Sequence, residues 1–330
     1  MDKVYDVIIA GGGSAGLSAA LYAARAKLEV IVIESYKEGG QINLASVVDN
    51  YPGGLSGEDG LALSTRMVEQ CSNAGVEFLN AEITKYMISG SIKKVYASDM
   101  EIYARTIILA TGRRAVSLGV PGEQEYVGRG VSYCATCDGP FYSGVDVVVI
   151  GGGDSAIEEA SCLTKYVRKV TVIHRRDTFR AAKSLLEKAI SNEKIEFLLN
   201  SRIIEISGDD FVETVTVQNT ITGEISTVGI TGDDWALGVF IFIGHTPNTE
   251  PLEGLIDMEG GYIITDEEMR TNIPGVFAVG DIRKKSLYQV VTAVADGAIA
   301  AVNADKYIDA AKENKWEEES FQNNSTAATV

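Results

Sequence analysis

The sequence predicts an α/β chain of two nested lobes, each built around a strand, a glycine turn, a helix and a second strand. Three observations carry this. One such unit opens the chain, as VYDVIIA, GGGSAG, LSAALYAARA and LEVIVIE. A second follows at mid-chain, as VDVVVI, GGGDSA, an alanine-rich helix to about Tyr166, and KVTVIH. The apolar run TIILATG (106–112) belongs with the first unit, and VFIFIGHTPN (239–248) is its counterpart in the second.

In the first unit, Gly11, Gly13 and Gly16 fill a G-x-G-x-x-G pattern, with Ser14 and Ala15 inside it. The first glycine permits the tight turn and the second lets backbone approach a pyrophosphate. The third lets helix and strand pack closely, and the helix N-terminus attracts an anion. The pattern follows a strand and opens an apolar-faced helix, the context it requires. Glu34 ends the second strand, where a carboxylate can accept hydrogen bonds from a ribose diol.

In the second unit, Gly151, Gly153 and Ala156 take the fingerprint positions, with Asp154 and Ser155 between them. Its second strand ends without a carboxylate, in HRRDTFR. A carboxylate there would repel a 2′-phosphate, whereas Arg175, Arg176 and Arg180 can grip one with paired donors. The first unit therefore suits FAD and the second NADPH. The expected architecture is two Rossmann-like dinucleotide-binding domains, the second inserted in the first. Residues 1–113 and 249–312 form the FAD lobe, and 114–248 form the inserted lobe. The alternation in FVETVTVQ and EISTVGI adds a small β-hairpin to the inserted lobe within 200–238. From 313 to 330 the chain is a polar, acidic tail.

A net charge of −17 argues against nucleic acid as a partner. No run of 18 apolar residues predicts a membrane span, and a strand beginning at Val4 leaves no room for a signal peptide ahead of it. The expectation is a cytoplasmic protein. Of the four cysteines, Cys71 and Cys162 stand alone in helical segments and read as buried thiols. Cys134 and Cys137 form a C-x-x-C with Asp138 directly after. A structural zinc site needs four ligands. There is no second C-x-x-C, and the two histidines, His174 and His245, are far apart, so no metal is expected. A redox pair is the leading reading, with an accidental spacing as the alternative.

Together these motifs resemble the low-molecular-weight thioredoxin reductases, a branch of the two-dinucleotide-fold flavoprotein disulfide reductases. The resemblance runs from about residue 4 to about 309, through GGGSAG, GGQ (39–41), DNYPGG (49–54), ATG (110–112), CATCDG (134–139), GGGDSA, HRRDTFRA (174–181) and GVFAVGD (275–281). It implies FAD contacts from the first fingerprint with Glu34, and from Gly40, Gln41, Asn50, Ala110, Thr111, Gly112, Gly280, Asp281, Gln289 and Val290. It implies NADPH contacts from Gly151 and Gly153 through Ala156, and from His174, Arg175, Arg176 and Arg180. Cys134 is then the outer, interchange thiol, Cys137 lies against the flavin, and Asp138 is the acid/base; an N-capping role for Asp138 is compatible with this. The implied activity is thioredoxin-disulfide reduction by a homodimer. The inserted lobe would swing between two positions about hinges near Gly112–Arg114 and Gly244–Asn248. The stretch 165–188, with eight Lys or Arg and two acidic residues, would help an acidic thioredoxin dock or would serve the nucleotide phosphate alone.

Three departures stand out. Ser14 replaces a usual proline and is expected to cap the helix. Tyr288 replaces a usual arginine, and Val294-Ala295 replaces a usual Ala-Gly. Other readings fit part of the pattern. A ferredoxin-driven relative would be expected to lose the arginines that this chain keeps. A small-molecule dithiol oxidase would lack a working NADPH site. The intact Cys-x-x-Cys-Asp argues against a flavin redox sensor without turnover.

Overall fold

A computed structural model describes residues 3–45, 47–232 and 234–313. The chain divides into two compact units, one formed by Met1–Asn43, Tyr51–Arg114 and Pro247 onward, the other by Leu44–Asn50 and Ala115–Thr246. Beyond Glu313 the polar tail lies outside the described residues.

The first unit is built on a seven-stranded sheet. Its order is Glu77–Asn80, Val30–Glu34, Val4–Ala10, Met100–Leu109, Lys93–Ala97 and Ile83–Met87, with Val276–Ala278 also paired to Met100–Leu109. The long strand serves two neighbours along one edge. Its first half pairs antiparallel with Lys93–Ala97, and Ile107–Leu109 pair parallel with Val276–Ala278. The central strand reads as an unbroken apolar run because both faces are covered, and Val7, Ile8, Ile9 and Ala10 are all fully buried. Val7 and Ile9 face helices Ser14–Arg25 and Val290–Glu313, while Ile8 and Ala10 face Tyr86, Val95, Leu252 and Ile256. The two helices cross backbone to backbone at Gly297, whose added Cβ would stand 2.2 Å from the Ala15 carbonyl oxygen. Ala295 is exposed, so its departure from the family pattern does not crowd this crossing. Val294 contributes its carbonyl, which accepts from Ser18 Oγ at 2.7 Å.

The second unit holds a parallel five-stranded sheet in the order Ile195–Leu198, Lys169–Ile173, Asp146–Ile150, Gly238–Ile241 and Val131–Ser132. Beside it the expected hairpin is a three-stranded antiparallel meander, Ser201–Gly208, Val212–Asn219 and Ile225–Gly229. The extra strand escapes the alternation rule because its register slips between Ile203 and Glu205 and again between Ser207 and Gly208. The connecting segments Arg113–Ala115 and His245–Pro247 pair as a two-stranded ribbon, preceded by Gly112 at φ +68° and Gly244 at φ +130°.

Candidate cofactor cradles and redox centre

In the first unit the glycine turn is enforced by close contacts. Gly11 has φ +107°, and a Cβ there would stand 2.4 Å from the Ala110 carbonyl oxygen. Gly13, not Ser14, is the N-cap of helix Ser14–Arg25, and it has no side chain with which to cap. The expected serine cap is therefore not made. Ser14 occupies the first helical position, where a proline's fixed φ is also accommodated. The N–H groups of the first turn are left for another acceptor. Gly40, at φ +63°, faces Gly13, and Gly39 N–H donates to Gly12 O at 2.8 Å, so glycine backbone lines this gap. Glu34 accepts from Gly12 N–H at 2.7 Å and Tyr36 N–H at 3.1 Å. A carboxylate offers about four lone-pair sites, so it has room for hydroxyl donors.

The other end of this cradle is ionic. Asp281 lies 3.5 Å from both Arg113 Nε and Lys285 Nζ. Its buried Oδ1 has no hydrogen bond, and burial raises the carboxyl above its ordinary value despite the two cations. Asp296 holds the floor, accepting from Gly280 N–H at 3.0 Å and pairing with Arg283 and Lys285, each at 3.2 Å. Tyr288 stacks under the Arg113 guanidinium, 3.9 Å from the ring centroid. Gln41 donates to the Arg113 carbonyl. Asn248 ties down the ATG turn, donating from Nδ2 to Thr111 O at 2.7 Å and from N–H to Gly112 O at 3.0 Å. Gln289 precedes helix Val290–Glu313 and donates its N–H to Thr292 Oγ1 at 3.2 Å. Asn50 falls in Leu44–Asn50, which groups with the second unit and not with the other residues of this cradle. A glycine-lined gap and an uncapped helix start together fit the phosphate groups of a bound nucleotide cofactor.

The second unit repeats the device with a different rim. Gly151 has φ +157°, and its Cβ would meet Ala156 Cβ and Phe242 O, each at 2.5 Å. Gly153 is the N-cap of helix Asp154–Leu163 and again makes no side-chain cap. Asp154 Oδ1 accepts from Ala182 N–H at 2.8 Å, which ties the 175–182 loop to the helix start. Ser155 is exposed in that first turn. His174 is buried behind the turn, stacked on Phe179 with centroids 4.9 Å apart. Its Nε2 sits 3.0 Å from Thr178 O, and a Cβ on Gly152 would stand 2.1 Å from the ring. Burial, with the neighbouring arginines, pushes this imidazole below its ordinary value, so it supports the turn as a neutral ring. Arg175, Arg176 and Arg180 are exposed, and their guanidinium groups pair with no carboxylate among the described residues.

Cys134 and Cys137 are joined in a disulfide with Cα atoms 5.3 Å apart. Cys134 caps the short helix Ala135–Asp138, its Sγ accepting from Cys137 N–H at 3.2 Å. Asp138 makes no capping bond, so the capping role considered for it is not the one it takes. Its Oδ2 accepts from Ser132 Oγ at 2.6 Å, and its Oδ1 is buried with no partner. Burial raises the carboxyl above its ordinary value, against the lowering effect of Ser132. Cys71 is buried as expected, its thiol pushed up to about 12, whereas Cys162 is only half-buried. Sequence reasoning missed Ser132, Arg113, Lys285 and Asp296. The first is six residues from its partner, and the ionic cluster joins distant segments.

A family model described as pyridine nucleotide-disulphide oxidoreductase matches residues 5–297. A thioredoxin reductase from Peptoclostridium acidaminophilum is 50% identical over 311 residues, covering 94% of this chain and 99% of the relative. One from Peptoclostridium litorale is 49% identical over 310 residues, covering 94% and 98%. The crystal structure of thioredoxin reductase from Streptococcus pyogenes matches with a TM-score of 0.89 at 44% identity, over 94% of this chain and 100% of that one.

Proposed function

Because the chain belongs to the pyridine nucleotide-disulphide oxidoreductase family and, within it, to the thioredoxin reductases, we infer that it moves two electrons from NADPH through FAD to the Cys134–Cys137 disulfide and on to thioredoxin. The observation that carries this reading is the disulfide itself, with the buried carboxyl of Asp138 next to it in the chain. Flavin and pyridine nucleotide binding follow from the family. FAD and NADPH as the particular pair rest on the different rims of the two glycine turns.

In the first unit the open N–H groups after Gly13, with Ala15 and Gly16, suit the pyrophosphate, and Glu34 suits a ribose. Asp281 Oδ1 suits a hydroxyl of the flavin's polyol chain. Gly40, Gln41, Ala110, Thr111, Gly112, Gly280, Gln289 and Val290 complete that cradle, with Asn50 as a further contact. In the second unit the turn from Gly151 to Ala156 takes the other pyrophosphate, and Arg175, Arg176 and Arg180 take the 2′-phosphate. When bound, the flavin supplies two-electron chemistry that the side chains lack. Reduction breaks the Cys134–Cys137 bond and leaves two sulfurs that share one added proton. The Cys134 thiolate attacks the thioredoxin disulfide and forms a mixed disulfide. Cys137 then displaces reduced thioredoxin and restores the starting bond. Asp138 gives and takes the proton.

The nucleotide turn and the cysteine pair both lie in the second unit, while the flavin turn lies in the first. Nicotinamide and disulfide would therefore compete for one flavin, and rotation of the second unit about the paired segments Arg113–Ala115 and His245–Pro247 would let them alternate. The same reading makes the protein a cytoplasmic homodimer that engages neither nucleic acid nor membrane. The charge of −17 speaks against nucleic acid, no helix among the described residues is long and apolar enough to cross a membrane, and the homodimer and the compartment rest on the family alone. The test is NADPH oxidation driven by oxidised thioredoxin. It should stop in Cys134→Ser and Cys137→Ser, and full thioredoxin turnover in either variant would sink the reading.

A further inference from the structure

Two carboxylates stand close to the redox cysteines in the second unit, and their surroundings are opposite. Glu123 is almost fully buried and accepts four hydrogen bonds: from Ser117 Oγ at 2.6 Å, Leu118 N–H at 2.9 Å, Gly119 N–H at 2.8 Å and Tyr133 OH at 2.9 Å. Burial works against its charge, but the donors outweigh it and hold the carboxyl below its ordinary value. Glu123 is thus a fixed anion that anchors Tyr133, the residue before Cys134. Asp138 has a single donor, and one of its oxygens is buried with none. Divergent environments of this kind separate a structural carboxylate from one that exchanges protons.

The single donor is well held. Ser132 is buried and ends the strand Val131–Ser132, in register with Phe240 of Gly238–Ile241. Its Oγ accepts from Cys134 N–H at 3.1 Å and lies 2.6 Å from Asp138 Oδ2. A hydroxyl has one proton to give. The Cys134 carbonyl, at 3.4 Å, is the poorer acceptor, so the proton points to Asp138. One hydroxyl therefore links the backbone of the first cysteine to the carboxyl after the second.

We propose that Ser132 is a positioning residue for the disulfide–dithiol reaction: by donating to Oδ2 it fixes the Asp138 carboxyl and leaves Oδ1 as the oxygen that gives and takes the proton. The proposal rests on the reading of Asp138 as acid/base. When two electrons arrive, the S–S bond breaks and both sulfurs become thiolates. The proton on Asp138 Oδ1 moves to one of them, leaving one thiol, one thiolate and an ionised carboxylate whose Oδ2 keeps the Ser132 bond. Oxidation by the substrate disulfide returns the proton. Without Ser132 the ionised carboxylate loses its one hydrogen bond, so Asp138 holds its proton to higher pH.

Other titratable groups lie on the elements packed against the short helix that ends at Asp138. Tyr142 follows in the turn Gly139–Tyr142 and interacts with it electrostatically. The packed helix Asp154–Leu163 carries Asp154, Glu158, Glu159 and Cys162, and Glu159 Oε2 is itself buried without a partner. Glu159→Gln is therefore part of the test.

The experiment is the pH profile of kcat/KM for oxidised thioredoxin in the holoenzyme, in wild type, Ser132→Ala, Ser132→Thr, Asp138→Asn, Ser132→Ala/Asp138→Asn, Glu159→Gln and Glu159→Gln/Ser132→Ala. Ser132→Ala should lower the rate roughly tenfold and move the titration upward. Ser132→Thr should restore the wild-type profile. In the Asp138→Asn background Ser132→Ala should add nothing, and Glu159→Gln should leave the Ser132→Ala shift in place. An impaired Asp138→Asn beside a wild-type profile for Ser132→Ala would overturn the proposal alone. So would an Ser132→Ala effect that persists at full size without Asp138, or a titration that vanishes with Glu159. A wild-type Asp138→Asn would remove the acid/base reading, and the proposal with it.

Discussion

A Cβ placed on Gly16 would stand 1.9 Å from the carbonyl oxygen of Gly11. No backbone adjustment absorbs that overlap without opening the turn. Gly16→Ala is expected to destabilise the protein by about 1–3 kcal/mol or more and to release the flavin. Gly153 gives the contrast, because a Cβ there meets nothing within 4 Å and its φ of −99° suits any residue. Gly153→Ala should fold and melt like wild type while its KM for NADPH rises. Thermal melts and flavin retention for the pair check both halves.

Arg175, Arg176 and Arg180 form an exposed cationic cluster against which no described carboxylate pairs. Their cost to folding is small, so their removal should be felt in binding. Arg175→Ala/Arg176→Ala is expected to raise KM for NADPH roughly tenfold to a hundredfold, with the KM for NADH and the melting temperature unchanged. Equal losses with both nucleotides would mean that the arginines do not read the 2′-phosphate.

Asp138→Asn should divide stability from activity. Burial raises the Asp138 carboxyl above its ordinary value. The folded chain therefore holds more protons than the unfolded chain between the ordinary and raised values, and stability falls as pH rises through that window. Above the raised value the penalty is fully present. The asparagine variant should therefore gain on wild type as pH rises through that window, with the difference shrinking as pH drops into the ordinary carboxylate range. Its thioredoxin turnover should fall by roughly a hundredfold or more. A difference that shrinks as pH rises through the window would contradict this.

Lys93 offers a test of the first unit alone. It is almost fully buried, donates to Gly90 O at 2.6 Å and Pro274 O at 2.7 Å, and burial pushes its pKa down to about 8. Between there and the ordinary value of 10.5 the unfolded chain binds more protons, so this lysine makes stability rise with pH across that window. Below it the desolvation penalty is fully present. Lys93→Met should cost about 1–3 kcal/mol from the two abandoned carbonyls. The gap between wild type and variant should widen from neutral pH to pH 10, and a gap that narrows would reverse the assignment.

Much of this was legible because glycine and cysteine act through backbone geometry and covalent chemistry. Gly11 and Gly151 sit at positive φ against a neighbouring carbonyl, as their spacing requires. The Cys134–Cys137 spacing lets one helical turn close a disulfide. Side-chain placement was less legible. His174 follows its strand as the arginines do, yet its ring turns inward against Gly152, a choice made by Phe179 and Thr178. Ser14 falls one position past the cap because Gly13 takes the extended conformation that ends the turn. Ser132 reaches Asp138 only because the chain doubles back through Cys134, which no period of 2 or 3.6 encodes.

The central claim is that electrons enter from NADPH and leave through Cys134–Cys137. An anaerobic titration of the purified holoenzyme with NADPH, followed by its visible spectrum, tests it most directly. The flavin band should bleach with about two NADPH per chain, one electron pair for the disulfide and one for the flavin, but not with equal NADH, and oxidised thioredoxin should restore it. A flavin that neither nucleotide bleaches would contradict the claim and leave the cysteine pair dependent on some other donor.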